Sequence, residues 1–260
     1  MNNKLADRIA SYEAITNYKL LPRVPLVISI NGRGFSKITS LLDKPYSKEF
    51  GECILNTMMR LCVEVEGTLF GYQHNDEIVL VIRNDQNENT EAWFGNSIQK
   101  ICSATSSIAT LHFNKCVKAI GLNLTGEPIF TSQIFAVPNV VEAINTIVFK
   151  QQHNFHTSIQ FACFYELLKK YDKGAIKDLL VGLNIDERGD LLLQECGVNF
   201  HEYPSVFRRG AACYRVPKIG DGGEQKYKWT VNDELPIFTK SQSFLTNLFR
   251  DGADIFHNGE

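Results

Sequence analysis

The chain has 260 residues, enough for one large domain or two small ones. Hydrophobic residues make up 44% and charged residues 22%, a globular balance that excludes a disordered or collagen-like chain. With a formal net charge of −2, any nucleic-acid binding must come from local basic patches.

The strongest apolar runs, Ile78 to Ile82 and Ile134 to Val137, are far too short to span a bilayer, so no membrane association is expected. Met1 to Asp7 lacks a long apolar core, and no secretory leader is expected there. Seven cysteines, Cys53, Cys62, Cys102, Cys116, Cys163, Cys196 and Cys213, form no CxxC pair. Their odd number and scatter point to free thiols in a reducing compartment, hence a cytoplasmic protein, and give no support to a cysteine–zinc site.

In chain order, residues 1 to 20 read as an opening helix with Leu5, Ile9, Ala10 and Tyr12 roughly on one face. Pro22 and Pro25 interrupt it before Leu26-Val27-Ile28-Ser29-Ile30, a short strand that stops at Asn31-Gly32-Arg33-Gly34, a turn whose glycines permit positive φ. A helix is predicted from Ser47 to about Glu66, with Ser47 as N-cap and Gly67 as the stop. Leu69 to Tyr72 and Ile78 to Ile82 flank a polar stretch and predict a hairpin with Asp76 and Glu77 at or just after its tip. A long helix is expected from Trp93 to about Phe113, and strand signals return at Ile129-Phe130 and from Gln133 to Val137. Pro138-Asn139 opens another helix whose continuation to Lys170 is expected to contain breaks. The last hundred residues read as more loop-like, with Gly182, Gly189, Gly197 and Gly210 as punctuation and Asp221 to Glu224 as a turn between two strands. This order predicts an α+β fold, an antiparallel sheet with helices on one face.

Two segments carry candidate chemistry. A strand ending in Asn31-Gly32 can place a side-chain oxygen and a backbone carbonyl beside a metal, and the amides of the turn can cradle phosphate. An ordinary strand-to-helix turn has the same pattern. Asp76-Glu77 on a hairpin is a ligand pair suited to magnesium when a substrate supplies phosphate oxygens, although solvated turn carboxylates look alike. Together they give the layout by which polymerase palms hold two metals. His153 and His156 could share a helical face, but no third zinc ligand has a compelling position. Arg208-Arg209 and Lys169-Lys170 could contact phosphates or simply face solvent.

With these residues in place, the sequence resembles the tRNA(His) guanylyltransferase family and its template-dependent 3′–5′ polymerase relatives. Ile30-Asn31-Gly32-Arg33-Gly34-Phe35, followed by Lys44-Pro45-Tyr46-Ser47, resembles the family's Asp-Gly-Arg-x-Phe segment. Gly71 to Glu77 resembles its Gly-Tyr-x-x-Ser-Asp-Glu motif, and Phe135 to Asn139, Lys150-Gln151-Gln152, Phe207 to Gly210 and Pro236 to Lys240 follow in order.

The resemblance implies a polymerase-like palm, with residues 1–140 as catalytic core and residues 141–260 as a helical and C-terminal extension completing the same domain. It implies magnesium-dependent nucleotide addition to the 5′ end of tRNA or a tRNA-like RNA. In that chemistry ATP or GTP activates a 5′-monophosphate, and the 3′-hydroxyl of an incoming nucleotide attacks it. By resemblance, Asn31, Asp76 and Glu77 are the catalytic positions, and Asn31, Gly32 and Asp76 would hold two magnesium ions. Gly32, Arg33, Gly34, Phe35 and Lys100 would bind nucleoside triphosphate, Arg208 and Arg209 would bind RNA, and the chain would form a tetramer. Several residues depart from the family pattern. Asn31 stands where the first metal aspartate is expected, Asn96 and Ser97 where two arginines are expected, and His153 where aspartate is usual. The neutral Asn31 supports a second reading, a palm-fold nucleotide- or RNA-binding protein with impaired or no catalysis.

Overall fold

A computed structural model describes residues 3–86, 88–219 and 225–254. The elements run α1 (Asn3–Ala14), β1 (Leu26–Gly32), α2 (Phe35–Ile38), α3 (Lys48–Glu64), β2 (Thr68–His74), β3 (Glu77–Ile82), α4 (Ile98–Ile120) and β4 (Phe130–Ala136). They continue with α5 (Val140–Leu167), α6 (Lys173–Leu180), α7 (Ile185–Cys196), α8 (Ser205–Arg209), β5 (Ala211–Ile219), β6 (Gln225–Asn232) and α9 (Gln242–Asp254). The expected turn at Asp221 to Glu224 lies outside the described residues.

The strands form one antiparallel sheet in the order β4-β1-β3-β2-β5-β6. The near-continuous apolar character of β1 and β3 has a direct cause: both faces of the sheet are covered. Leu26, Ile28 and Ile30 alternate with Val27, and Ile78, Leu80 and Ile82 alternate with Val79 and Val81, each set entering a different core. The first core holds Ile54, Met58 and Leu61 of α3 and Ile101, Ala109 and Phe113 of α4. The second holds Ala143 and Ile147 of α5 with Leu245 and Phe249 of α9. Helices therefore pack on both faces, not on one. A sequence pattern that fills both faces cannot say which helix takes which side.

Helix ends follow local chemistry. Ser47 caps α3 by accepting a hydrogen bond from the Phe50 amide at 3.4 Å, as its position predicts. In α4, Ile101, Thr105, Ala109 and Phe113 recur every four residues as a buried stripe. That helix begins at Ile98, later than expected, because Trp93–Asn96 forms a separate short 3-10 turn with left-handed Phe94 and Gly95. Asn96 is buried there; its amide donates to the Leu21 carbonyl at 3.2 Å and its side-chain oxygen accepts from Asn84 at 3.2 Å. The residue that departs from an expected arginine thus ties three segments together.

Two further expectations are corrected. The helix after Asn139 has no break: α5 runs 28 residues to Leu167, roughly 42 Å at 1.5 Å per residue. Its polar middle survives because Asn154 donates to the Tyr72 hydroxyl at 3.3 Å and Ser158 donates to the Phe207 carbonyl at 2.7 Å. The last hundred residues are not loop-like but carry α6, α7, α8 and α9. Gly197, at φ 69°, closes α7 in a left-handed conformation that glycine adopts without steric cost, and an Asn184–Glu187 capping box opens the same helix. The C-terminal half of α5 joins α6 and α7 in a third core through Ile159, Ala162, Cys163, Leu167, Ile176 and Leu192.

Candidate active site

β1 and β3 are neighbours, and their register sets Asn31 opposite Glu77. The Gly32 amide donates to the Asp76 carbonyl at 3.1 Å, which clips the end of β1 to the hairpin tip. A two-residue turn, Asn75-Asp76, makes that tip; Asn75 takes a φ of 51°, which asparagine tolerates better than most residues. The two segments singled out in the sequence therefore meet at one end of the sheet.

Gly32 and Gly34 have different roles. Gly34 takes a φ of 69° just before α2, whereas Gly32 remains extended within β1. A Cβ on Gly32 would lie 2.6 Å from the Phe35 ring, so glycine is required there by close approach. Phe35 is buried against Phe50, Phe113 and Phe130, with centroids 6.0, 5.5 and 5.0 Å away. Its ring anchors the turn from below and is not free to stack on a ligand.

A cleft of about 340 Å³ opens at this end of the sheet, lined by Gly32, Gly34, Lys44, Tyr46, Asp76 and Tyr165 among others. Lys44 donates to the Thr39 hydroxyl at 3.1 Å and stands 5.9 Å from the centre of the Tyr165 ring. Partial burial lowers its pKa. Phe161 adds a 40% exposed ring on the α5 side. A cation, aromatic walls and a carboxylate thus border one space, which suits a planar base joined to an anionic tail. Lys44, Phe161, Tyr165 and Lys150 were assigned no role from sequence. Lys44 and Lys150 lie inside segments that carry the resemblance, but Phe161 and Tyr165 reach the site only through the path of α5.

Burial raises the pKa of Asp76, the neighbouring Glu77 charge adds to the rise, and a hydrogen bond from its own backbone opposes it. Glu77 is held in an ion pair by Lys150 of α5. His74 at the end of β2 is buried, with its Nε2 2.7 Å from the Ser158 hydroxyl and 2.9 Å from the Phe207 carbonyl. Burial pushes its pKa down to about 4, the Phe207 carbonyl opposes that shift and His153 adds to it. It fastens the hairpin to α5 and α8.

Other sequence-selected residues lie apart. Arg33 is exposed beside the turn, and Lys100 is exposed near the start of α4; neither lines the cleft. Arg208 and Arg209 are half-buried at the end of α8 and donate to the backbone carbonyls of Tyr203 and Leu235 at 2.7 and 3.0 Å. His153 and His156 are exposed on α5. Among the described residues, no three His, Cys, Asp or Glu side chains converge as a metal set. The Asn31 amide oxygen, the Gly32 carbonyl and the Asp76 carboxylate are nonetheless hard oxygen donors of the kind magnesium takes when phosphates and water complete its shell. With Asn31 neutral and Glu77 paired to Lys150, this donor set does not supply two unpaired carboxylates.

A family model described as Thg1, tRNAHis guanylyltransferase, matches residues 6–138, which contain the whole of β1, the turn and the hairpin. The chain belongs to the tRNA(His) guanylyltransferase family. It is 24% identical over 225 residues to tRNA(His) guanylyltransferase 2 of Arabidopsis thaliana, covering 84% of this chain and 40% of that protein. Against a probable tRNA(His) guanylyltransferase of Drosophila melanogaster it is 24% identical, covering 75% and 68% of the two chains. This chain spans about two fifths of the length of the two Arabidopsis relatives it matches. Among solved structures, a bacterial Thg1-like protein in complex with ATP shares the fold at a TM-score of 0.81 and 24% identity, covering 94% of this chain and 98% of that one. The Saccharomyces cerevisiae tRNA(His) guanylyltransferase superposes at a TM-score of 0.71 and 18% identity, covering 78% and 90%. Within this family's fold, the cleft and hairpin of the present chain lie at one end of the sheet, and no helix among the described residues is long and apolar enough to cross a membrane.

Proposed function

We propose that this chain is a magnesium-dependent nucleotidyltransferase that adds nucleotides to the 5′ end of tRNA or a tRNA-like RNA. The observation that carries the reading is the Gly32–Asp76 clip at the mouth of a cleft walled by Tyr46, Tyr165 and Lys44. In this reading Lys44 faces the anionic tail of ATP or GTP, and the tyrosines flank its base. Asp76, Gly32 and Asn31 would hold the cation, which when bound supplies Lewis-acid stabilisation of the phosphate undergoing attack. The buried Phe35 cluster and His74 keep the strand end and hairpin in place so that these groups need no reorganisation. The attacking group is the 3′-hydroxyl oxygen of the incoming nucleotide; it forms a bond to the activated 5′-phosphorus as the activating group departs. Sequence similarity to tRNA(His) guanylyltransferases supports RNA as the acceptor.

The reading also places the chain in the cytoplasm, supported by seven free cysteines. A tetramer, carried over from the family resemblance, is supported by apolar Leu5, Ile9 and Tyr12, which α1 leaves 51, 45 and 59% exposed. Asn31 favours the second reading, binding without transfer. The deciding experiment incubates the protein with magnesium, labelled nucleotides and 5′-monophosphorylated or 5′-triphosphorylated tRNA. Label joined to the RNA 5′ end is expected. Binding of RNA and nucleotide without extension would establish the second reading instead.

A further inference from the structure

Cys53 and Cys116 are 63 residues apart in the chain, and the fold brings their sulfurs together. Cys53 lies on α3 and Cys116 near the end of α4, and the Cys53 thiol donates to the Cys116 sulfur at 2.6 Å. The Asn56 amide, one turn along α3, donates to the same sulfur at 3.8 Å and keeps it turned toward α3. Cys53 is buried and Cys116 half-buried, so Cys116 is the member of the pair that a solute can reach. Cys62 and Cys213 also form a hydrogen-bonded pair, but both are buried and neither offers that access. The Cys53–Cys116 contact lies one turn from Phe50 and Phe113, whose ring centroids are 5.7 Å apart, and Phe50 and Gly51 line the cleft.

We propose that Cys53 and Cys116 form a dithiol modification site, closed to a disulfide by a low-molecular-weight disulfide such as oxidised glutathione and reopened by the matching thiol. None of the groups assigned to the cation or the nucleotide takes part. A disulfide bond holds its sulfurs about 2.05 Å apart, so sulfurs already in contact need little helix movement to be joined. The Cys116 thiolate attacks one sulfur of the glutathione disulfide, and the first glutathione leaves as a thiolate. The Cys53 thiolate then attacks the Cys116 sulfur; the Cys53–Cys116 bond forms as the bond to the second glutathione breaks. The two protein thiols give up two protons and two electrons, and the two glutathione molecules carry them away as thiols. Burial raises the pKa of Cys53 and its hydrogen bond to Cys116 adds to the rise, which keeps Cys53 a thiol until its neighbour has reacted. The bond staples α3, whose first turn walls the cleft, to α4 within the first core. In a reducing compartment both sulfurs rest as thiols, and the staple forms when the disulfide oxidant accumulates.

In the test, native protein is incubated with oxidised glutathione, its remaining thiols are blocked by an alkylating reagent, and it is digested with trypsin in the absence of reductant. Cleavage after Lys48, Arg60, Lys115 and Lys118 leaves Cys53 in the peptide of residues 49–60 and Cys116 in the tripeptide Cys116-Val117-Lys118. Mass spectrometry is expected to find these two peptides joined, and dithiothreitol is expected to part them. The melting temperature of the wild type should rise on the order of 5–10 °C on oxidation, because the cross-link restricts the unfolded chain. Cys116→Ser, treated alike, should show no such rise. Glutathione on Cys116 without the joined peptides, or both thiols still open to alkylation after the incubation, overturns the proposal, and neither result requires a variant to fold. Joined peptides with an unchanged melting temperature overturn the staple.

Discussion

His74 shows how a single residue near the site couples its packing to pH. Its folded pKa, about 4, lies below the ordinary value of 6.5 because burial disfavours the charged ring. The neutral ring therefore contributes stability that is fully present above pH 6.5 and is lost as pH falls through about 4. The full effect is on the order of 3 kcal/mol. Urea unfolding from pH 7 to pH 4 should show a steeper loss for wild type than for His74→Gln, which cannot take up that proton. Equal slopes would contradict the assignment. At this scale the sequence was most legible where chemistry is local. The Gly32–Phe35 turn and the Asp76-Glu77 tip are contiguous motifs, and the structure brings them together. Lys150 was not legible as the partner of Glu77, because 73 residues separate them and only the course of α5 unites them.

Among the elements, α5 does most to join the molecule, and one polar residue shows how. Gln151 accepts from the Phe238 amide at 2.8 Å and donates to the Pro236 carbonyl at 3.0 Å, pinning the segment before α9. Gln151→Ala would leave the buried Phe238 amide without its partner, at a cost of about 1–3 kcal/mol. Chemical denaturation should report that loss, and Gln151→Glu should recover part of it, since a carboxylate oxygen can still accept. An alanine variant as stable as wild type would show that the bond contributes nothing. The N-cap of α3 and the two strands of the hairpin were readable from spacing and capping residues. The continuity of α5 was not, because Asn154 and Ser158 look like helix interrupters until Tyr72 and Phe207 are placed beside them. Nor was α9, whose Leu245 and Phe249 are buried only because the second sheet face needs a cover.

At the scale of the whole molecule, one sheet draws β1 to β4 from the first 140 residues and β5 and β6 from the remainder. We propose that residues 1–140 form the palm core and residues 141–260 complete the same domain; α5 and α8 supply one wall of the cleft through Phe161, Tyr165 and Phe207. The fold class was readable from element order, while the coverage of both sheet faces was not, since apolar runs that serve two cores carry no mark of direction. Function on this account depends on a long-range meeting of strand end, hairpin tip and helix, and Asp76 is where they converge. The most direct test is single-turnover transfer to a 5′-activated tRNA by wild type and Asp76→Ala, with nucleotide binding measured in parallel. The account predicts that Asp76→Ala loses at least ~100-fold in the rate of transfer, more than it loses in nucleotide affinity, because the cation stabilises charge that grows in the transition state. A folded Asp76→Ala protein that extends RNA at the wild-type rate would contradict it.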